Sequence, residues 1–342
     1  MTGLYTSPHL CAVRERIRIN GEPLSEELFA KYFFEVWERL EADPKVSGPV
    51  LCRPIIAGAV WTTKNQTLTP LTPVFPIYFR LLTLLAFHTF LSLGVDATVL
   101  EVGIGGLYDS TNIVPKPITT GISSLGLDHQ AVLGNTIEEI ARNKAGIYKA
   151  GVPALSVPQE QAGEVLEEVA KANGAEFSVV PIIPENTPLG IRGKHQRINA
   201  SLAVGLAKSF LRTRGKEFEG DLPAEFAQPL SLTKWPGRCQ RVERGEISWL
   251  LDGAHTTESL RSCGEWAWAE GEPNVLIFNC SGGRAGEALL GSLLEAGAKE
   301  RGVTKEQLGR EFVTVVFCTN VTYTSGGFKG GESRPSEIKQ RG

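Results

Sequence analysis

The sequence predicts an α/β protein with doubly wound parallel sheets in two domains. Its 342 residues are enough for two domains at about 150 residues each. Short β-prone runs alternate with amphipathic helical stretches, which is the pattern of parallel sheets with helices on both faces. A polar stretch interrupts this alternation. We therefore expect one domain over residues 1–215, a linker over 216–234 and a partial second domain over 235–324.

The composition indicates a folded chain and argues against two classes of partner. Hydrophobic residues make up 42% and charged residues 21% of the chain, close to globular averages. The formal net charge of −3 argues against a general binder of nucleic acid or anionic membranes, because such proteins carry a basic field. The six cysteines have neither zinc-site nor disulfide-framework spacing, so we interpret them as reduced thiols of a cytoplasmic protein.

Periodicity and capping signals predict the elements of the first domain. An apolar helical stripe follows Ser25, a residue type that caps helices. The apolar run over residues 77–93 is too short for a membrane span, so we interpret it as a buried helix. A capping box at Thr136–Glu139 begins another helix. Strands are predicted over 97–102, 118–125 and 152–157, and further helices over 159–173 and 196–214.

The alternation resumes after residue 234. Strands are predicted over 247–251, 275–278 and 312–318, and helices over 258–269 and 287–299. Residues 49–76 hold five prolines and fit neither element type, so we interpret them as an insert, with translated intron as its origin. The tail over residues 325–342 is rich in glycine, serine and charge, and we expect it to be disordered.

Candidate site residues follow the predicted strands, because ligands of doubly wound sheets bind beyond the carboxyl ends of the strands. Glu101 precedes a glycine turn and either binds a hard cation such as magnesium or merely terminates its strand. His129 follows the next strand as either a ligand or a structural histidine. Asp252 and His255 have the same placement in the second domain.

Three more residues are candidates on other grounds. Lys144 shares a helix face with Ile140, where a lysine is costly unless it is paired or modified, although a side chain extending to solvent is the alternative. Arg238 is placed to contact a phosphate, and Asn199 begins a helix. Each residue taken singly is a plausible cap or turn, whereas together they outline a nucleotide site.

A series of ordered motifs covers nearly the whole chain outside residues 49–76 and the last dozen residues. They are GLYTSPHL at 3–10, RERIRING at 14–21, EVGIGG at 101–106, DSTN at 109–112, LDH at 127–129, KAGI at 144–147, HQRINA at 195–200, PGR at 236–238 and DGAH at 252–255. With these motifs the chain resembles the fungal-type folylpolyglutamate synthases of the Mur ligase-like family. The resemblance implies a Mur ligase-like ATPase domain followed by a truncated Rossmann-like glutamate-ligase domain.

The resemblance also implies a reaction. ATP would phosphorylate the terminal carboxylate of a folate glutamyl tail, and the amine of L-glutamate would displace phosphate to form a γ-linked amide, with magnesium neutralising charge on the phosphoryl group. Residue roles follow by motif. The resemblance implies that Ser7, Glu101 and His129 bind magnesium, that Lys144 (carbamylated) and His255 are catalytic, that Arg238, Asp252 and Asn199 contact ATP, and that Thr6, Pro8 and His9 contact folate.

The chain departs from the family pattern in one central motif. No G-x-x-x-x-G-K-[ST] stretch occurs in it, although the family places one before the segment at 3–10. We therefore expect a chain truncated at both ends whose phosphate binding is impaired. Dihydrofolate synthase, a non-catalytic folate- or nucleotide-binding remnant and a fragment that folds poorly remain as alternatives. We expect a cytoplasmic monomer acting on tetrahydrofolate polyglutamates, L-glutamate and ATP, with a mitochondrial form if a longer N-terminus exists.

Overall fold

The computed structural model describes residues 1–42, 76–280 and 285–318. The predicted insert, apart from Pro76, and the predicted disordered tail lie outside these residues. The chain divides into unit 1, residues 1–180 with 205–217, and unit 2, residues 181–204 with those from 218 onward. The α/β class with parallel sheets is confirmed. Among the described residues, no helix has the length and apolar character needed to cross a membrane.

Unit 1 begins with a mixed sheet of four strands. β1 (Thr2–Tyr5) runs antiparallel to β2 (Ile17–Ile19) and parallel to β4 (Ala97–Leu100), with Tyr5 opposite Leu100. Two helices pack with this sheet around the buried side chains of Tyr5, Ile17 and Leu85, and Ser25 Oγ accepts the N–H of Leu28 to cap the first of them. The elements are β1 (Thr2–Tyr5), β2 (Ile17–Ile19), β3 (Glu22–Pro23), α1 (Glu26–Ala42), α2 (Tyr78–Leu93) and β4 (Ala97–Leu100), in the sheet order β3-β2-β1-β4.

A second sheet of unit 1 is parallel throughout. Its strands β5 (Thr120–Ile122), β6 (Pro153–Ser156) and β7 (Glu176–Val179) are covered by helices whose buried residues include Ala141 and Leu166. The predicted capping box is confirmed, since Oγ1 of Thr136 accepts the N–H of Glu139. The elements are β5 (Thr120–Ile122), α3 (Gln130–Leu133), α4 (Ile137–Ala145), β6 (Pro153–Ser156), α5 (Gly163–Asn173) and β7 (Glu176–Val179).

Helix α5 begins four residues later than the sequence predicted. The predicted first residue, Gln159, instead joins two strand ends: its Oε1 accepts the N–H of Leu125 at 2.9 Å, and its Nε2 donates to the carbonyl of Ser123 at 3.0 Å. The helix ends as predicted, at Gly174 in the left-handed conformation. Because Gln159 bonds to the end of the neighbouring strand, it lies outside the helix, although helical periodicity alone placed it at the start.

Unit 2 combines a β-hairpin, a pair of parallel strands and several helices. Its core includes Leu260, Trp266, Leu293 and Leu308. Helix α7 (Ala224–Leu232) lies where the sequence predicted a linker. Pro229 inside it removes a backbone donor, so the segment reads as a break in the alternation of strands and helices. The elements are α6 (Lys194–Arg212), α7 (Ala224–Leu232), β8 (Gln240–Arg244), β9 (Ile247–Leu251), α8 (Thr257–Glu270), β10 (Val275–Asn279), α9 (Gly286–Arg301), α10 (Lys305–Glu311) and β11 (Thr314–Cys318), with the end of α6 in unit 1.

Candidate functional site

The carboxyl ends of β1 and β4 bring two predicted magnesium ligands together. The backbone N–H of Ser7 donates to Oε2 of Glu101 at 2.8 Å, and the N–H of Glu101 donates to the carbonyl of Tyr5 at 2.9 Å. Parallel pairing of the two strands places both following loops at one edge of the sheet. Ser7 and Glu101 are therefore neighbours, as a shared ion would require.

Glu15 holds the far end of the loop that contains the predicted folate residues. Its carboxylate accepts the backbone N–H groups of Leu10, Cys11 and Ala12 at 3.0, 3.0 and 2.7 Å. Burial alone would raise the pKa of Glu15, but these three donors hold that pKa below its ordinary value of 4.5. Sequence reasoning used Glu15 only as part of a motif. The sequence signal that could have identified Glu15 is a glutamate three residues after Ala12, the last residue of the loop.

Arg16 holds the other side of the same loop. Its Nε donates to Nδ1 of His9 at 2.9 Å, its carbonyl accepts the N–H of Thr6 at 2.9 Å, and its guanidinium lies 5.5 Å from the ring centroid of Tyr78. Burial, and after it the charge of Arg16, lowers the pKa of His9. Thr6 and His9 are half-buried and Pro8 is exposed, so the three predicted folate residues lie on one loop with a defined shape.

Asp109 organises the glycine turn after β4, a role that sequence reasoning missed. Its Oδ2 accepts the N–H groups of Gly103 and Ile104, each at 3.1 Å. Its Oδ1 accepts the N–H and the hydroxyl of Thr111 at 2.9 and 2.7 Å. An aspartate two residues before a threonine is the sequence signal for such a turn. One carboxylate therefore meets four donors and fixes both ends of the segment.

The glycine turn packs against the C-terminal end of α4. Gly105 has φ +73°, and a Cβ there would lie 2.4 Å from Oδ1 of Asn143. A Cβ at Gly106 would lie 2.5 Å from the carbonyl oxygen of Lys144. The N–H of Leu107 also donates to the Asn143 carbonyl at 2.8 Å. Glycine is thus required at two successive positions so that the turn can approach the helix end.

Lys144 lies at this helix end, half-buried on the side that also buries Ile140 and Ala141. Burial lowers the pKa of Lys144, and the negative charge of Asp128 opposes that shift. Within the described residues Lys144 forms no ion pair, and Asp128 pairs with His129, Oδ2 to Nε2, at 3.5 Å. A partly buried ammonium without an ion pair is costly, so the site favours either the neutral amine or a modified lysine.

His129, the third predicted magnesium ligand, lies in a strained turn after β5. Its φ is +52°, a left-handed conformation that residues other than glycine rarely adopt. Its N–H donates to Oδ1 of Asp128 at 2.8 Å. The structure thus joins Ser7 to Glu101 directly and pairs His129 with Asp128.

The oxygen donors of Ser7 and Glu101 fit a magnesium ion better than the imidazole of His129 does. Magnesium takes oxygen ligands, keeps several waters and commonly uses one or two carboxylates together with substrate phosphates. Among the residues the structure describes, no three His, Cys, Asp or Glu side chains form a cluster that could hold a metal ion. Ser7 and Glu101 are therefore the protein groups with which such an ion would be held alongside substrate oxygens.

Asp252 ties two loops of unit 2 together. Its Oδ2 accepts the N–H of Cys239 at 2.6 Å, and its Oδ1 accepts the N–H of Ala254 at 2.8 Å. Beside it, the N–H of Gly253 donates to the carbonyl of Gly237 at 2.9 Å. Both oxygens of this predicted ATP ligand are thus engaged with the backbone. Asp252 therefore stabilises these two loops, whether or not it also contacts a ligand.

Arg238 and His255 lie on the two loops that Asp252 joins. Nη1 of Arg238 donates to the Gly237 carbonyl at 3.3 Å, and a Cβ at Gly253 would lie 2.4 Å from that Nη1. Nδ1 of the exposed His255 lies 2.9 Å from the Gly253 carbonyl. The guanidinium and the imidazole are therefore presented by adjoining turns of unit 2.

Asn199, the third predicted ATP residue, is exposed near the start of α6. Its Nδ2 donates to Oε1 of Gln196 at 3.1 Å, and Nε2 of Gln196 lies 3.0 Å from Nε2 of His195. Nδ1 of His195 is buried and has no hydrogen-bond partner among the described residues. Burial lowers the pKa of His195, and the charge of Asp252 opposes this shift.

The predicted residues divide between the two units. Unit 1 carries the predicted folate, magnesium and lysine positions: Thr6, Ser7, Pro8, His9, Glu101, His129 and Lys144. Unit 2 carries the predicted ATP positions and the catalytic histidine: Asn199, Arg238, Asp252 and His255. The predicted folate and magnesium contacts therefore all lie in unit 1, and the predicted ATP contacts all lie in unit 2.

Comparison with known proteins identifies close relatives in fungi. The chain is 43% identical over 337 residues to a probable folylpolyglutamate synthase of Schizosaccharomyces pombe, covering 95% of this chain and 61% of that protein. It is 41% identical over 339 residues to the folylpolyglutamate synthase of Neurospora crassa, covering 96% and 60%. The chain thus spans about three fifths of the length of the curated relatives that it matches. No family model matches the chain.

Solved structures share the fold. A folylpolyglutamate synthase in complex with AMPPCP and folate superimposes with a TM-score of 0.68 at 22% identity, covering 93% of this chain and 80% of that one. Mycobacterium tuberculosis folylpolyglutamate synthase complexed with ADP gives a TM-score of 0.67 at 21% identity, covering 95% and 82%. Over nearly its whole length, the chain is therefore similar in sequence to fungal folylpolyglutamate synthases, and it has the fold of the solved structures.

Proposed function

We propose that this chain derives from an ATP-dependent ligase that adds L-glutamate to the γ-carboxylate of the glutamyl tail of tetrahydrofolate. The observation that carries the proposal is the 41–43% identity to fungal folylpolyglutamate synthases over 95–96% of the chain. A solved protein of this fold is complexed with AMPPCP and folate, which are chemically an ATP analogue and the substrate class. We further propose that the protein is a cytoplasmic monomer and that its partners are small molecules.

Unit 1 would hold the folate and the metal. Thr6, Pro8 and His9 would contact the folate, and Ser7 with Glu101 would hold magnesium, whose bound charge neutralises the transferring phosphoryl group. The Ser7 N–H already orients one oxygen of Glu101, so the carboxylate is preorganised at the strand end. His129 would join this group through its own loop.

Lys144 would serve as a carbamate. Because burial lowers its pKa, a larger fraction of the side chain is the neutral amine that attacks carbon dioxide. The ammonium first loses one proton to give this neutral amine. The amine nitrogen then bonds to the carbon of carbon dioxide, one C–O π bond becomes the anionic oxygen, and the nitrogen releases a second proton. Two protons leave in all, so a cation becomes an anion. That change would remove the cost of a buried ammonium and give the site a second anionic oxygen ligand.

Unit 2 would hold the nucleotide. Arg238 would donate to phosphate oxygens, because its guanidinium is a fixed planar donor that stays protonated. Asn199 would contact the adenine, and His255 would contact the phosphate or the incoming glutamate. Asp252 would keep the Arg238 and His255 loops in register, since its two oxygens already join them.

The 342-residue chain taken by itself would be a slow enzyme. It contains no G-x-x-x-x-G-K-[ST] stretch, so neither the P-loop amides nor the P-loop lysine can bind the β- and γ-phosphates within it. We expect folate binding to survive and nucleotide binding to be weak. Dihydrofolate synthase is the second candidate, because a solved relative of the same fold is an E. coli FolC complex with DHPP and ADP.

Calorimetry on the purified 342-residue chain tests the proposal. We expect heat from a tetrahydrofolate polyglutamate, little or none from dihydropteroate, and weak binding of AMPPCP with magnesium. Tighter binding of dihydropteroate would favour the second candidate, and no heat from either pterin would refute the folate assignment. Incorporation of labelled glutamate at the rate of a fungal relative assayed beside it would refute the expected impairment.

The carbamate is tested by carbon-13 NMR in labelled bicarbonate. We expect a carbamate signal from the wild-type chain that disappears in Lys144→Met and persists in Lys149→Met, a control in the segment that follows α4. Absence of the signal from the wild-type chain over a range of bicarbonate concentrations would count against this role for Lys144.

A further inference from the structure

Arg16 and His9 form a pair that the proposed mechanism does not use. The segment containing Arg16 contributes no group to that mechanism, although it lies against the predicted folate loop. The Nε of Arg16 donates to Nδ1 of His9 at 2.9 Å. This bond restricts which ring nitrogen of His9 can carry a hydrogen.

The bond fixes the tautomer of His9. A guanidinium has only donors, so Nδ1 must accept and carries no hydrogen. The proton of the neutral ring is then on Nε2.

Arg16 is itself held in place. Its carbonyl accepts the N–H of Thr6 at 2.9 Å, and its guanidinium lies over the ring of Tyr78, 5.5 Å from the centroid. Its neighbour Glu15 fixes the end of the same loop through three backbone N–H groups. The guanidinium that sets the His9 tautomer is therefore held beside Tyr78, and the loop that carries His9 is held by the Arg16 backbone and by Glu15.

We propose that Arg16 is a positioning residue that fixes His9 as the Nε2–H tautomer, and that His9 donates this hydrogen to a carbonyl or carboxylate oxygen of the folate. The second half rests on the proposed function. Among the described residues, Nε2 of His9 has no hydrogen-bond partner, so the donor remains for a ligand. A fixed donor recognises an oxygen acceptor and disfavours a ligand group that itself donates.

Nitrogen-15 NMR of the ligand-free 342-residue chain tests the first half without reference to activity. Long-range proton–nitrogen spectra distinguish the tautomers of its five histidines, and loss of one set in His9→Gln assigns His9. We expect a single Nε2–H tautomer at neutral pH in the wild-type chain. In Arg16→Gln we expect a mixture of tautomers. Arg142→Gln, which alters an arginine paired with Glu168 on a helix, should match the wild type.

Two results would overturn the first half. One is a proton on Nδ1 of His9 in the wild-type chain, and the other is an unchanged single tautomer in Arg16→Gln. If Arg16→Gln does not fold, Arg16→Lys replaces it, because a lysine keeps the charge but not the planar donor. The wild-type spectrum decides the tautomer in either case.

Calorimetry with folate tests the second half. His9→Ala should weaken folate binding about tenfold, the effect of losing one net hydrogen bond to a charged group. His9→Gln should restore most of the affinity, because its amide nitrogen can donate from near the position of Nε2. Equal affinity of His9→Ala and the wild type would overturn this half. Absence of folate binding by the wild type would overturn it together with the proposed function, while the NMR result on Arg16 would stand.

Discussion

Carboxylates hold loops in both unit 1 and unit 2, but the two units differ in how many loop segments each carboxylate holds. In unit 1, Glu15, Glu101 and Asp109 each hold one stretch of loop. In unit 2, Asp252 holds two loops, one with each oxygen. Loss of one carboxylate should therefore loosen one segment in unit 1 but two segments in unit 2. Removing these carboxylates one at a time measures that difference.

The largest effect is expected from Asp252→Ala. Alanine has no acceptor, so the N–H groups of Cys239 and Ala254 both lose their partner and both loops are released. We expect a loss of about 2–4 kcal/mol in the free energy of unfolding of unit 2, because hydrogen bonds to charged groups contribute about 1.5–3 kcal/mol each. Urea unfolding followed by the fluorescence of the buried Trp266 and Trp268 measures it.

Glu246→Gln is the matched control for this measurement, since Glu246 is exposed in the turn between β8 and β9. Its unfolding midpoint should equal that of the wild type. If Asp252→Ala were equally harmless, the loops of unit 2 would be held by something other than Asp252, and the contrast between the two units would fail.

An intermediate and local effect is expected from Asp109→Asn. The asparagine can keep its oxygen on Thr111, but its NH₂ cannot accept the N–H groups of Gly103 and Ile104. We expect about 1–2 kcal/mol of lost stability, with faster hydrogen exchange at those two amides and unchanged exchange at Thr111. Asp109→Ala should release all three amides. Uniformly faster exchange across unit 1 in Asp109→Asn would contradict a segmental role.

The smallest effect, and the one that depends on pH, is expected from Glu15→Gln. The folded pKa of Glu15 lies below its ordinary value of 4.5, so the carboxylate stabilises the fold above that value and this contribution disappears as the pH falls through the folded pKa. The urea midpoints of the wild type and Glu15→Gln should therefore differ at neutral pH and converge in acid. The exposed Glu38→Gln should show neither behaviour. If the difference between the two urea midpoints grew in acid, the folded pKa of Glu15 would be raised and not lowered.

Much of the fold could be predicted from the sequence. Periodicity and caps placed α1, α2, α4 and most strands correctly, because their signals are local. Five strands, β1, β2, β3, β7 and β8, were missed. The first three have two to four residues each and arginine alternates with isoleucine in β2, while β7 has four residues and β8 has a single apolar residue. Helix α7 was missed because Pro229 resembles a break. Short elements and exceptions to propensity depend on tertiary packing that a local pattern does not contain.

The site was predictable to a smaller extent. The strand-end rule located Glu101 and Asp252, and the structure shows the bonds that each makes. The rule could not locate Glu15, Arg16 or Asp109, because a supporting residue is defined by which backbone groups it meets. Those groups become neighbours only after the strands have paired. Sequence patterns thus identify positions where ligands bind more readily than the residues that hold those positions in shape.

The close approach of the glycine turn to α4 has a consequence for how this protein can vary. Because a Cβ at Gly106 would occupy the space of the Lys144 carbonyl, and one at Gly105 that of Asn143, neither segment can change alone. A side chain entering the turn would require the last turn of the helix to shift with it. We therefore expect residues 105–106 and 143–144 to exchange between related proteins as one block, so that a chimera with its crossover between them would pair mismatched halves.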